Sequence, residues 1–306
     1  MRNKIEWKTL GALIKRNSKM FFKDKGIFFT SLITPLILLV LYATFLANVY
    51  KDSFLQAMPE GINVSDKLLN GMVGGQLLSS LLAVCCVTVS FCANMLMVQD
   101  KALGTRSDLT VSPVKNSTLA LGYYLSTTLT TLAVSLVATL AGLAYIAICG
   151  WYMSVGDICL LLLDVFLVSA FGTALSSVIN FFLSSQGQIS AVGSIVSSGY
   201  GFICGAYMPI SQFGGWLRNT VAFLPGTYGT ALLRNHALNG VLREMNSLGF
   251  PPESIAGIRD TVDCNIYCFG ASVPQGVMYA ILALSVVALV GLYILLNVLK
   301  ERKNAK

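Results

Sequence analysis

The chain has 306 residues, of which 55% are apolar and 11% charged, and a net charge of +7. A soluble domain carries roughly 25% charged residues and must cover its surface with polar groups, so this composition excludes an ordinary water-facing fold and points to a bilayer as solvent. In that setting the surplus of Lys and Arg reads as charge that keeps loops on the cytoplasmic face, not as a nucleic-acid surface.

Residues 4–24 are predicted to form a helix that lies along the membrane rather than across it. At about 100° per residue, Lys4, Lys8, Lys15 and Lys19 share one face, while Trp7, Leu10, Leu13, Ile14 and Phe21 share the other. The first span is expected at 27–49. It contains Pro35, which a bilayer helix tolerates when its neighbours satisfy the freed carbonyl. Further apolar stretches follow, so this one reads as a permanent helix and not a cleaved leader.

After a polar loop over 50–70, the second span is expected at 72–98 and, past a charged connection over 99–118, the third at 119–148. A turn with Gly150 and Gly156 leads to the fourth, 158–183, and a polar turn around Gln186–Gln188 to the fifth, 189–208. A segment of mixed character covers 209–274, and the sixth span, 277–299, runs into a basic tail. The expected fold is therefore an all-α polytopic membrane protein, one transmembrane domain over 1–306 with six spans. With both ends inside, the amino-terminal segment, the 99–118 loop and the tail hold about 15 of the 21 Lys and Arg residues, which places both termini in the cytoplasm.

Groups for chemistry are few. There is no phosphate-cradling G-x-x-x-x-G-K-[ST] loop, no H-E-x-x-H and no paired-cysteine metal pattern, so no catalytic residue, metal or directly bound cofactor is expected. Cys85, Cys86, Cys92, Cys149, Cys159 and Cys204 sit in apolar runs and read as small hydrophobes. Cys264 and Cys268 fall in the outer segment, and whether they form disulfides stays open. The single histidine, His236, reads as a surface residue. Asp164, inside the fourth span, is the most unusual group, because a charge at that depth calls for a partner; Arg234 is the expected one.

Phe91, Asn94, Met95, Ser198 and Phe202 are candidate lining of a path for an apolar cargo. Gly201 and Gly205, with Ser197 one step earlier, form a small-residue stripe that fits a dimer seam or the wall of the path, or else packing within one subunit.

The 99–118 loop has parts that suit a short, rigid element at the membrane surface. Asp100 favours a helix start through the dipole, Gly104 and Thr105 allow a bend, and Ser112-Pro113 stops the helix. The stretch resembles the coupling-helix segment of type-2 ABC export permeases, acidic-x-x-x-G-T-x-x-x-L-x-x-[ST]-P, with Asp100, Gly104, Thr105, Leu109, Ser112 and Pro113 at the matching positions. The family often has a second acid two places after the threonine; here Ser107 stands there, with Asp108 beside it. G-A-Y-M-P-I-S-Q-F from Gly205 and F-L-P-G-T-Y-G-T-A-L-L-R from Phe223 resemble the same family's segment after the fifth span.

This resemblance implies a re-entrant helical hairpin in the outer leaflet and a second permease copy, identical or a paralogue. It also implies a separate nucleotide-binding ATPase subunit that carries ATP and Mg, and a place in the plasma (inner) membrane. The cargo would be a drug, peptide, lipid or lipid-linked glycan. Two other accounts remain: a secondary transporter, which should carry more intramembrane charges, and a sensor or immunity subunit that binds cargo without moving it.

Overall fold

The computed structural model describes residues 2–56, 64–111 and 114–304. Helix α1 (Arg2–Lys23) is amphipathic, as its sequence requires: Leu13, Asn17 and Phe21, spaced by four, are buried, and Trp7 on the opposite side is exposed. Asp24 then caps α2 (Lys25–Leu41), its carboxylate accepting the Ile27 N–H at 3.1 Å.

A π-helical turn, Tyr42–Leu46, joins α2 to α3 (Ala47–Gln56) in one continuous rod. Tyr42 and Tyr50, eight residues apart, would point about 80° away from each other in a regular helix. The extra residue of the π turn brings them into phase, and their rings stack at 5.5 Å. The Tyr42 hydroxyl donates to the Val73 carbonyl at 3.2 Å.

The central post is α4 (Asp66–Ala102), about 55 Å long at 1.5 Å per residue. Helices α2, α6 (Asn116–Cys149), α7 (Val155–Phe182), α8 (Gln186–Ile203) and α10 (Pro225–Ser247) all pack on it. Its neighbours approach closely because α4 presents small and hydroxyl side chains, and these bond across the seam. Asn94 Nδ2 donates to Ser176 Oγ at 3.1 Å and Ser177 Oγ at 2.9 Å. Ser90 Oγ lies 3.3 Å from Thr173 Oγ1 and 3.2 Å from Thr131 Oγ1. In a bilayer such bonds contribute about 0.6 kcal/mol each. Around this post α2, α6 and α12 (Gln275–Asn304) turn Ile33, Leu36, Val137, Leu140, Leu284 and Val287 outward. Outward-facing side chains of this kind mark a lipid-facing surface.

Among the described residues, five helical stretches are long and apolar enough to cross a membrane: Lys25–Asp52, Asp66–Ala102, Asn116–Cys149, Val155–Phe182 and Gln275–Lys300. They fall on five of the expected spans. The sixth expected span, 189–208, is instead α8, which ends at Ile203 before the chain turns at Cys204 and Gly205. Its serines and glycines leave it less apolar than the others. Between α8 and α12 lie a 3₁₀ turn (Ile210–Gln212), α9 (Gly215–Val221), α10, α11 (Pro252–Thr261) and a small hairpin of β1 (Ile266–Cys268) with β2 (Ala271–Val273), paired in the register Tyr267–Ser272.

Helix α10 is buried on every side, from Gly226 to Leu238 without interruption. It runs antiparallel to α7. Gly229 faces Val168 near the middle of α7, while Asn239 and Arg243 reach Asp157 on the first turn of α7, at 2.7 and 2.5 Å. Asp157 also completes the Ser154 capping box of α7.

Candidate functional site: the α5 surface and the two buried charge clusters

The break between α4 and α5 (Thr105–Val111) falls at Gly104, whose φ of +80° favours glycine. The chain around this break is wired to several helices. The Asp100 carboxylate, nearly fully buried, accepts two bonds from the Arg16 guanidinium at 2.8 and 2.9 Å and one from the Tyr123 hydroxyl at 2.6 Å. A bidentate pair of this geometry is among the strong ones. It holds the Arg16 proton more firmly than in an ordinary arginine, although burial works the other way.

Lys101 Nζ donates to the carbonyls of Asn180, Phe181 and Leu183 at 2.9, 2.8 and 3.1 Å and so closes the end of α7. Arg106 donates to Asn297 Oδ1 on α12 at 3.0 Å. Leu109 packs against a cluster of Leu13, Met97, Leu119, Tyr123 and Tyr293. Of the residues expected to meet a partner, Asp100 therefore faces inward and Leu109 is half-buried. Gly104 is open and Thr105 partly so. Ser112 and Pro113 lie outside the described residues. Leu103 and Asp108 are the side chains that α5 and its approach expose.

The small-residue stripe on α8 faces its own chain. A Cβ on Gly201 would meet the Tyr207 ring at 2.4 Å, and one on Gly205 would meet Ile210 at 2.7 Å. Gly205 also has a φ of +75°, so two constraints require glycine there. The open face of α8 is instead Ser190, Ser194, Ser198 and Phe202, at a spacing of four. Ser198 Oγ donates to its own helix, to the Ser194 carbonyl at 2.7 Å. Phe202 stands edge-on to Tyr207, with ring centroids 5.1 Å apart. Phe91 and Asn94 are buried within the bundle and Met95 packs towards Gly193. Of the candidate path residues, only Ser198 and Phe202 are exposed.

The expected Asp164–Arg234 pair is not formed. Asp164 is bound by His236 Nδ1 at 2.5 Å and by the Tyr279 hydroxyl at 2.6 Å, which links α7, α10 and α12. Arg234 instead meets Asp263 at 3.1 Å and donates to the Gly205 carbonyl. The reason is angular: Arg234 and His236 are two residues apart on α10, about 200° around the helix, so only one of them can face α7. His236 is accordingly buried, contrary to the surface position expected of it. Asp263 also accepts the Ile210 and Ser211 backbone N–H groups, and so pins the turn after α8.

Cys264 and Cys268 are free thiols. Burial pushes Cys264 up to about 12. The hydrogen bond to Asp260, at 3.0 Å, raises the Tyr267 phenol.

Several long apolar helices around a polar-seamed post, with the buried Asp100, Asp157, Asp164, Arg234 and Asp263 each paired inside the chain, define a multi-pass α-helical membrane protein. The family model described as ABC-2 type transporter matches residues 8–237, and the chain belongs to that family. Membership makes it a transmembrane permease component. No curated protein matches the chain.

Proposed function

We propose that the chain is the membrane-spanning subunit of an ATP-driven exporter in the plasma (inner) membrane. A separate nucleotide-binding subunit, holding ATP and Mg, supplies the energy and docks on α5. A second permease copy, identical or a paralogue, completes the path. In this reading α8 is the sixth span, both termini are cytoplasmic, and α9–α10 is a hairpin that enters the outer leaflet and climbs back to the surface. The cargo is hydrophobic or amphipathic.

The observation that carries the proposal is the α5 junction. A short helix with an exposed Asp108 and Leu103 is tied through residues 100–106 to α1, α6, α7 and α12. A push on α5 is thereby delivered to most of the bundle at once. The polar contacts of α10 with the chain around it include the Asp157 and Asp263 clusters, which an outward opening would have to release.

The test is affinity purification from the native membrane. A P-loop ATPase should co-purify with the wild-type chain and be lost from Asp108→Lys or Leu103→Glu, both at exposed positions, while the chain still elutes as a single folded species. Retention of the ATPase by both folded variants would remove the docking role from α5. A well-folded preparation with no ATPase at all would favour a gradient-driven carrier, tested next with imposed ion gradients.

A further inference from the structure

Helices α2 and α6 both lean on α4 and leave a cleft between them. Towards α1 it is a cavity of about 370 Å³ lined by Phe22, Phe28, Leu32, Cys85, Val134 and Ala138, among other apolar side chains. Farther along it continues as a cavity of about 390 Å³ reaching Tyr42 and Tyr145. The two share Leu39, Leu81 and Ala141, so they form one groove. The α1 half has an apolar lining that would stay free of water and suits hydrocarbon. Along α6 the groove extends from Ala133 to Tyr145, about 18 Å at 1.5 Å per residue. One leaflet of a bilayer core of ~30 Å needs about 15 Å.

The charge at one end says what kind of molecule brings that hydrocarbon. Lys15, Lys19 and Lys23 recur at intervals of four on α1, flanking Phe22 at the mouth of the groove, and Lys25 opens α2. All four are exposed. The one acid among them, Asp24, is engaged in capping α2. Four cations against one carboxylate favour an anionic headgroup.

We propose that the groove binds one anionic phospholipid, its acyl chain laid along α4 between α2 and α6 and its phosphate held by Lys19 and Lys23. The site is separate from the proposed docking of an ATPase on α5, and its test needs no ATPase.

Full-length protein in detergent is incubated with equal amounts of phosphatidylglycerol and phosphatidylcholine, then examined by native mass spectrometry. The wild type should retain one phosphatidylglycerol per chain, favoured about thirtyfold over phosphatidylcholine by two lysines at the headgroup. Ala141→Trp, at the narrow point shared by both cavities, should reduce the retained lipid at least tenfold with the oligomer mass unchanged. If that variant does not elute as a single species, Leu36→Trp fills the groove from the opposite wall, where the native side chain is already exposed. Lys19→Glu with Lys23→Glu should keep a bound lipid but lose the headgroup preference. Equal retention of the two lipids by the wild type would overturn the proposal. So would undiminished lipid in a folded Trp variant, or a Trp variant that changes the oligomer mass, because the groove would then be covered by a second copy of the chain.

Discussion

The α5 end of the molecule and its far end solve the same problem differently. Each buries charges in an apolar bundle, and each pairs them. At the α5 end the paired groups lie on regular helices: Arg16 on α1, Asp100 and Lys101 on α4, Tyr123 on α6. At the far end the pairs hold irregular chain. Asp263, with a φ of +55°, gathers Arg234 and the turn at Ile210–Ser211, and Asn235 donates to the Cys264 carbonyl at 2.6 Å. Charges between helices stiffen a unit that moves as one body. Charges that organise loops act as a latch on chain that Phe250, Ile258, Val262 and Cys264 also anchor to the core.

The largest effect that would break this contrast is expected at the latch. Arg234→Ala leaves the Asp263 carboxylate buried with no cation, which costs about 3–5 kcal/mol. It should lower the melting temperature sharply and expose the segment between α10 and α12 to protease. A joint change of both partners to apolar residues should recover much of that loss; an Arg234→Ala protein that melts like the wild type would show that the pair holds nothing.

Next comes Asp100→Ala. Losing the charge-assisted bonds from Arg16 and Tyr123 is expected to cost roughly 1.5–3 kcal/mol. Trypsin should then cut at Arg16 first, since α1 is released while the α4–α7 seam survives. If cleavage appears first at the far end, the two regions are not independent.

Asp164→Asn keeps an acceptor for Tyr279, so the loss should be smaller, about 1 kcal/mol. His236→Gln should give a similar value. Equal effects from both, not additive in the double variant, would mark one shared cluster.

The smallest effect is chemical. With its thiol pushed up to about 12 by burial, Cys264 is un-ionised at pH 8 and its thiolate fraction grows about tenfold per pH unit up to that value. Half-buried Cys268 should be alkylated first in the folded protein, and Cys264 only after denaturation or at high pH. Equal rates at pH 8 would mean that the segment between α10 and α12 opens readily.

Much of the fold was legible because a bilayer makes demands on composition. Five spans and the amphipathic α1 follow from apolar length and from the spacing of Lys15, Leu13 and Phe21. The Gly104 break was legible because it needs glycine. Helix α8 was harder, since its Ser and Gly residues serve close packing and blur the end of the helix. The charge partners were not legible. Asp164 announced that it needed one, but whether Arg234 or His236 answered depends on the rotation of α10, which is buried all round and carries no amphipathic signal. Asp100 matched its motif and still turned inward, because a motif records a residue type and not the direction in which the side chain points. The one available hint for Asp263 was an acid beside Cys264 in a segment otherwise poor in function.

The π turn at Tyr42–Leu46 has a consequence for how this chain tolerates change in length. Removing one residue there would restore a regular helix with the two tyrosines seven positions apart, about 700° of rotation, and so still within about 20° of one another. Tyr50 and Phe54, both buried, would keep facing the core, whereas a deletion in a regular stretch of the rod would swing everything beyond it by about 100° and carry them out. Relatives of this chain should therefore accept a one-residue difference within this turn more readily than elsewhere between α2 and α3. Along this rod the turn is where a change of length leaves the packing in register.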